Sequence, residues 1–224
     1  MTFEPQLGAL PAAQRALWPE LAQVPRHFVL YGGTAVALHY GHRTSADFDF
    51  FTSQPIQAET LLRTLTFLRD AKPTQVARNT LAAEVTRGGV VKLQFLGGLP
   101  YRRVCDPHYS RDNVAQVASP LDLLATKLRV IWERSQSKDF LDIHELLRRG
   151  VDLKNGLGAG YAVYAGQFNS HISLRALGYF DDGDVASLPQ DVKQDLVSAV
   201  NSVLGQPLPE FQPLPGGLAP AKPD

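Results

Sequence analysis

The chain has 224 residues, 44% of them hydrophobic, which is enough for one sizeable core or for a domain and a half. Charged residues make up 20%, and Lys plus Arg equals Asp plus Glu at 22 each. That balance excludes a disordered chain and a protein that grips long nucleic acid through overall positive charge; any such contact must come from a local patch.

A single cysteine, Cys105, rules out an intrachain disulfide and fits a reducing compartment. The N-terminal stretch MTFEPQLGAL lacks the basic and apolar regions of a signal peptide, and no run approaches the roughly 18 apolar residues of a membrane helix. A cytoplasmic protein with no membrane partner is the expectation.

In chain order, Leu10, Ala13, Leu17 and Leu21 recur at helical spacing and predict a helix over 9–23, stopped by Pro25. His27 to Tyr31 is an apolar run of strand type. Gly32-Gly33 breaks it, and a helix is predicted from Thr34 to Tyr40, closed by Gly41. Asp47 to Phe51 alternates acid and phenylalanine with the period of a strand. A helix over 56–70 follows, then extended segments at 74–78, 80–87 and 90–96, with Gly88-Gly89 as a hairpin turn. This mixture implies an α/β or α+β sheet domain. The second half reads as helical: 120–133 with Pro120 just inside its start, 138–149, weaker segments at 151–167 and 171–178, and 188–204. Six of the 16 prolines fall in the last 20 residues, so a flexible extension is expected there.

The informative segment is YGGTAVALHYGHRTSADFDFF, Tyr31 to Phe51. Gly32 and Gly33 let a ligand approach the backbone where a helix begins, and free N–H groups at a helix start suit phosphate; Thr34 adds a hydroxyl. Asp47 and Asp49, two apart on a strand, present both carboxylates to one side while Phe48 and Phe50 face the core. Their Cα atoms lie about 7 Å apart, close enough for the side chains to converge on ions about 4 Å apart. Such oxygen donors select Mg²⁺ or Mn²⁺. His42 and Arg43, just ahead, can offset triphosphate charge. A Gly-Gly pair alone is usually a turn and a lone D-x-D usually a solvated strand face; their combination carries the weight, because two carboxylates on one face repel unless solvated or bound to a cation.

A second constellation spans 120–149. Lys127 and Arg134 are predicted on one edge of the apolar stripe of Leu121, Leu124, Leu128 and Ile131, with Arg129 turned to solvent. Asp139 and Asp142 share a face of the next helix. The plain alternative is a helix hairpin with surface ion pairs. The run NGLGAG at 155–160 lacks dinucleotide-binding spacing and reads as a loop; no Walker A motif, zinc-type histidine spacing or nucleophile elbow is present. Cys105 reads as a small buried residue, and Tyr101-Arg102-Arg103 as a solvated loop or a local anion site.

GGTAVALHYGHRTSADFDFF, followed by KLRVIWERSQSKDFLDIHELL from Lys127 to Leu147, resembles the AbiEii/AbiGii-type toxin family of nucleotidyltransferases over roughly residues 25–150. The resemblance implies a nucleotidyltransferase-like fold; with the predicted elements it gives a mixed sheet with helices over 1–118, a helical domain over 119–205 that completes a cleft, and, from its prolines, a flexible tail over 206–224. It implies that Gly32, Gly33, Asp47 and Asp49 hold nucleotide and metal, that Lys127 contacts the triphosphate, and that Asp139 or Asp142 acts in the site. It implies a nucleoside triphosphate substrate, tRNA as one acceptor and a cognate antitoxin as partner. On this reading Asp47, Asp49, Lys127 and Asp142 are catalytic, with Asp142 a candidate base or orienting group. Gly32, Gly33, Thr34, Arg43, Arg134 and Asp139 bind nucleotide.

Two departures stand out. Many polymerase-like nucleotidyltransferases open the motif with Gly-Ser, and they often carry a third carboxylate in a V-K-x-D-F strand; here Val91 to Phe95 places Gln94 at that point. A glutamine cannot take a proton from the acceptor. The alternatives are therefore a nucleotide- or partner-binding module without transfer activity, and transfer to a small molecule, which the neutral charge favours over RNA.

Overall fold

In the computed structural model, residues 1–220 are described. The chain divides into two compact units: a sheet unit of Met1–Ser119 joined by the chain from Leu214 onward, and a helical unit of Pro120–Pro213.

The sheet unit runs β1 (Thr2–Phe3), α1 (Ala12–Leu17), β2 (Val29–Tyr31), α2 (Gly32–Tyr40), β3 (Asp47–Phe51), α3 (Ala58–Thr64), β4 (Lys72–Ala77), β5 (Thr80–Thr86), β6 (Val90–Leu96), β7 (His108–Ser110) and β8 (Gln116–Val117). One mixed sheet holds all eight strands in the order β1-β7-β8-β2-β3-β6-β5-β4. β3 lies inside it, antiparallel to β2 and parallel to β6. Its alternation decides its faces: Phe48 and Phe50 are buried, and Phe50 stacks on Phe95 of β6 at 5.3 Å while Phe28 meets Phe95 edge-on at 5.4 Å. Each such ring contributes about 1.5–3 kcal/mol by leaving water, and together they fix which face the acids must take.

Two predicted helices are shorter than their apolar spacing suggested. The 9–23 segment is α helix only over Ala12–Leu17 and continues as a 3-10 helix over Trp18–Gln23, where Pro19 supplies no N–H. The 56–70 segment breaks at Leu65, which is extended, before a 3-10 turn at Thr66–Leu68. The hairpin forms at Gly88, whose φ of +74 is the left-handed turn conformation, and β4 is an exposed edge with a register shift between Pro73 and Gln75.

The Pro-rich stretch expected to extend freely is instead packed over its described part: residues 206–213 belong to the helical unit, and those from Leu214 onward pack on the sheet unit. Arg103, buried rather than solvated, donates from Nη1 to the carbonyls of Pro215 (2.7 Å), Gly217 (2.9 Å) and Ala219 (3.2 Å), while Nε and Nη2 bind Asp106. Leu214 N donates to Arg103 O and Leu218 N to Ser53 Oγ, and Leu218 and Ala219 are buried. Proline forbids helix and central strand but leaves carbonyls free to accept, and one guanidinium collects three of them. Residues 221–224 of the predicted tail lie outside the described residues. Cys105 is half-buried, not enclosed as expected.

His39 of α2 packs 4.2 Å from Phe3 and 5.4 Å from His108, with Nε2 at 3.0 Å from Ala118 O. Burial lowers its pKa from 6.5 to about 4, against the opposing pull of the Ala118 carbonyl and with help from His108. The unfolded chain therefore binds the extra proton between these values, so stability rises with pH across that window and is lost on acidification from about 6.5 to about 4, by roughly 2–3 kcal/mol. Thermal melts at pH 7 and pH 5 should show this loss, reduced in His39→Gln; an equal loss in both proteins would place the acid sensitivity elsewhere.

The helical unit consists of α4 (Pro120–Val130), α5 (Ser137–Arg148), α6 (Leu153–Tyr164), α7 (Ser170–Leu177) and α8 (Gln190–Val203). The glycine-rich run predicted as a loop lies inside α6. A methyl at Gly156 would strike Leu124 and Leu128 of α4, and one at Gly160 would strike the Phe168 ring, so these glycines permit close helix packing that offsets their weak helix propensity. Asp152 caps α6 by accepting from Asn155 N at 2.8 Å. Arg129 does not project into solvent: its guanidinium lies 4.4 Å over the Trp132 ring and pairs with Glu133. Among the described residues no helix is long and apolar enough to cross a membrane.

Candidate active site

The sheet unit gathers one group of predicted residues. Gly32 is the first residue of α2 and has φ +76. A Cβ there would collide with Oδ2 of Asp49, so the carboxylate rests against the bare backbone at the helix start. Asp49 faces Tyr31 across β2 and Gln94 across β6; Asp47 faces Lys92. Asp47 is exposed and Asp49 half-buried, both on the face opposite Phe48 and Phe50. Hard oxygen donors in this arrangement fit Mg²⁺ or Mn²⁺. Among the described residues no group of three or more His, Cys, Asp or Glu converges, so the fit is to two carboxylates and not to a larger cluster.

Thr34 departs from its predicted role. It is buried, and its hydroxyl is hydrogen-bonded to the backbone carbonyl of Asp47 and lies 2.9 Å from Ser45 Oγ. It ties α2 to the start of β3 and does not present its hydroxyl to a ligand. Arg43 is half-buried in the loop before β3 and donates to Thr44 O at 3.1 Å. Two residues outside the motif hold that loop: Gln14, buried on α1, donates to Ala46 O at 2.5 Å, and Ser45 N donates to Ala9 O. Gln14 lies four residues after Leu10 and three before Leu17. A polar residue within an apolar stripe was its one sequence signal.

The helical unit gathers the other group. α4 ends at Val130, so Arg134 sits beyond the helix and not on its stripe edge. The two cations nevertheless meet through Asp139: Lys127 Nζ lies 2.7 Å from Asp139 Oδ1 and 2.6 Å from Asp142 Oδ2, and Arg134 Nε lies 2.8 Å from Asp139 Oδ2. Lys127 is 4% exposed and both aspartates 0%, which discards the surface-pair alternative. Lys127, Asp139 and Asp142 share one buried place, and Arg134, 46% exposed, reaches Asp139 from the surface and balances the charge; such a group is favourable only while every member is paired.

The mixed sheet, with two strand-borne carboxylates beside a glycine-opened helix start, has the nucleotidyltransferase fold that the solved structures named below share. The model of the family "Nucleotidyl transferase AbiEii toxin, Type IV TA system" matches residues 15–212, and the chain belongs to that family of nucleotidyltransferase toxins. It is 30% identical over 158 residues to an uncharacterized protein of Aquifex aeolicus (strain VF5), aq_aa25, covering 69% of this chain and 74% of that one. Two solved structures share the fold. MenT4, a nucleotidyltransferase toxin from Mycobacterium tuberculosis H37Rv, aligns at a TM-score of 0.57 and 13% identity, covering 86% of this chain and 82% of that one. A candidate nucleotidyltransferase from H. pylori aligns at 0.52 and 18% identity, covering 85% and 91%.

Proposed function

We propose that this nucleotidyltransferase is metal-dependent, acts in the cytoplasm, and transfers a nucleotidyl group from a nucleoside triphosphate to a hydroxyl of RNA such as tRNA, with a cognate antitoxin as its partner. The observation that carries the reading is Asp47 and Asp49 on one face of β3, with Asp49 lying against Gly32. The two carboxylates would hold Mg²⁺ or Mn²⁺, which when bound supplies positive charge to the triphosphate. The N–H groups at the start of α2 and the Arg43 guanidinium are assigned to phosphate oxygens. In the reaction the acceptor oxygen bonds to the α-phosphorus, the bond from that phosphorus to the pyrophosphate oxygen breaks with its electron pair leaving on pyrophosphate, and the acceptor proton passes to water. Lys127 is assigned to triphosphate charge on the order of motifs in the sequence. Asp139 and Asp142, fully buried against its ammonium, are better suited to position Lys127 than to accept a substrate proton.

The test is incubation with α-labelled nucleoside triphosphates, Mg²⁺ and total cellular RNA. Label on RNA that drops at least 100-fold in Asp47→Ala and Asp49→Asn is the expected result. Label on a small-molecule panel but not on RNA would replace the acceptor. Binding without transfer anywhere would favour the module reading, for which Gln94 is the supporting observation.

A further inference from the structure

We infer that Gln94 limits this centre to a single divalent cation, an inference that rests on the reading of Asp47 and Asp49 as the cation site. The register is the starting point. Asp49 and Gln94 are paired neighbours on the parallel strands β3 and β6, and Asp47 and Lys92 are the pair two residues earlier. Neighbouring strands lie about 4.8 Å apart, and paired residues project to the same face. The donors bordering the carboxylates on this side are therefore a neutral carboxamide and an ammonium. The next residue outward is Glu84 of β5, which pairs with Lys92 and stands one strand beyond it from the aspartates.

Charge and donor number then decide between one ion and two. Two divalent cations about 4 Å apart repel strongly, and centres that hold them rely on shared and terminal anionic ligands as well as phosphate. One Mg²⁺ or Mn²⁺ needs only one or two carboxylates, the substrate phosphates and water. Only Asp47 and Asp49 adjoin the centre, since Glu84 on the same face stands two strands from Asp47 with Lys92 between them, and the adjacent Lys92 subtracts from the aspartates' field. A carboxylate at position 94 would add the missing charge beside Asp49; the glutamine offers only a neutral carbonyl oxygen. Gln94 thus acts on cation number and need not touch the reacting atoms.

The test counts Mn²⁺ bound per complex of the full-length protein with α,β-methylene analogues of the four nucleoside triphosphates. Free Mn²⁺ is read by electron paramagnetic resonance, and the analogue alone serves as baseline. The expected result is one Mn²⁺ per complex for the natural chain and for Gln94→Ala, and two for Gln94→Asp. Two in the natural chain would overturn the inference while leaving the Asp47–Asp49 site intact. One in Gln94→Asp, with its circular dichroism unchanged, would also overturn it, because charge at position 94 would not set the number. A count unaffected by Asp49→Asn would overturn the site reading itself and the inference with it. If Gln94→Asp does not fold, the counts for the natural chain and Gln94→Ala still decide.

Discussion

Asp142→Ala is expected to destabilise the helical unit by about 3–5 kcal/mol, the usual cost of leaving a buried charge without its partner. Lys127, Arg134, Asp139 and Asp142 balance as two positive and two negative charges, and the 2.6 Å pair between Lys127 and Asp142 is fully enclosed. Removing Asp142 leaves Asp139 to answer two cations. Asp142→Asn should cost less, because its amide oxygen still accepts from the ammonium. Urea unfolding measures this well, since the chain has two tryptophans and each unit holds one: Trp18 in the sheet unit and Trp132 in the helical unit. In a Trp18→Phe background, fluorescence follows the helical unit alone. A loss below about 1 kcal/mol for Asp142→Ala would mean that the ammonium is solvated as an exposed pair would be.

Gly32→Ala is the second large effect, and it should fall on ligand binding more than on folding. The residue has φ +76, which costs an alanine roughly 1–2 kcal/mol. The added methyl would also push Oδ2 of Asp49 from its resting place. A displacement of about 1 Å in a positioned group costs on the order of 100-fold in rate, and a similar weakening of nucleotide binding with Mg²⁺ is expected. Gly88→Ala separates the two causes: Gly88 has φ +74, but a methyl added there would meet nothing within 4 Å. It should lose comparable stability and keep nucleotide binding. Equal binding by Gly32→Ala and the natural chain would remove Gly32 and Asp49 from the site.

Local pattern accounts for what could be read in advance. Acid and aromatic residues alternate from Asp47 to Phe51, and a strand with that period can only bury one set, so the shared face of the two acids followed directly. The hairpin at Gly88-Gly89 and the helices of the second half are likewise set by turn chemistry and apolar spacing within the segment itself. β1, β7 and β8 carried no such signal, because two or three residues cannot display a period; β1 pairs with β7 and β8 with β2, partners distant in the chain.

The sequence by itself determined the order of the longer elements, the face taken by Asp47 and Asp49, and the family motifs, because each depends on residues close together in the chain. Only the tertiary structure decided how polar groups distant in sequence are used. It turned Thr34 inward to Asp47, set Gln14 beneath Ala46, buried Lys127 between Asp139 and Asp142, and bound carbonyls of the proline-rich segment to Arg103. The physical reason is that a buried donor or acceptor must find a partner, and which partner it finds depends on the packing of segments that no local spacing encodes.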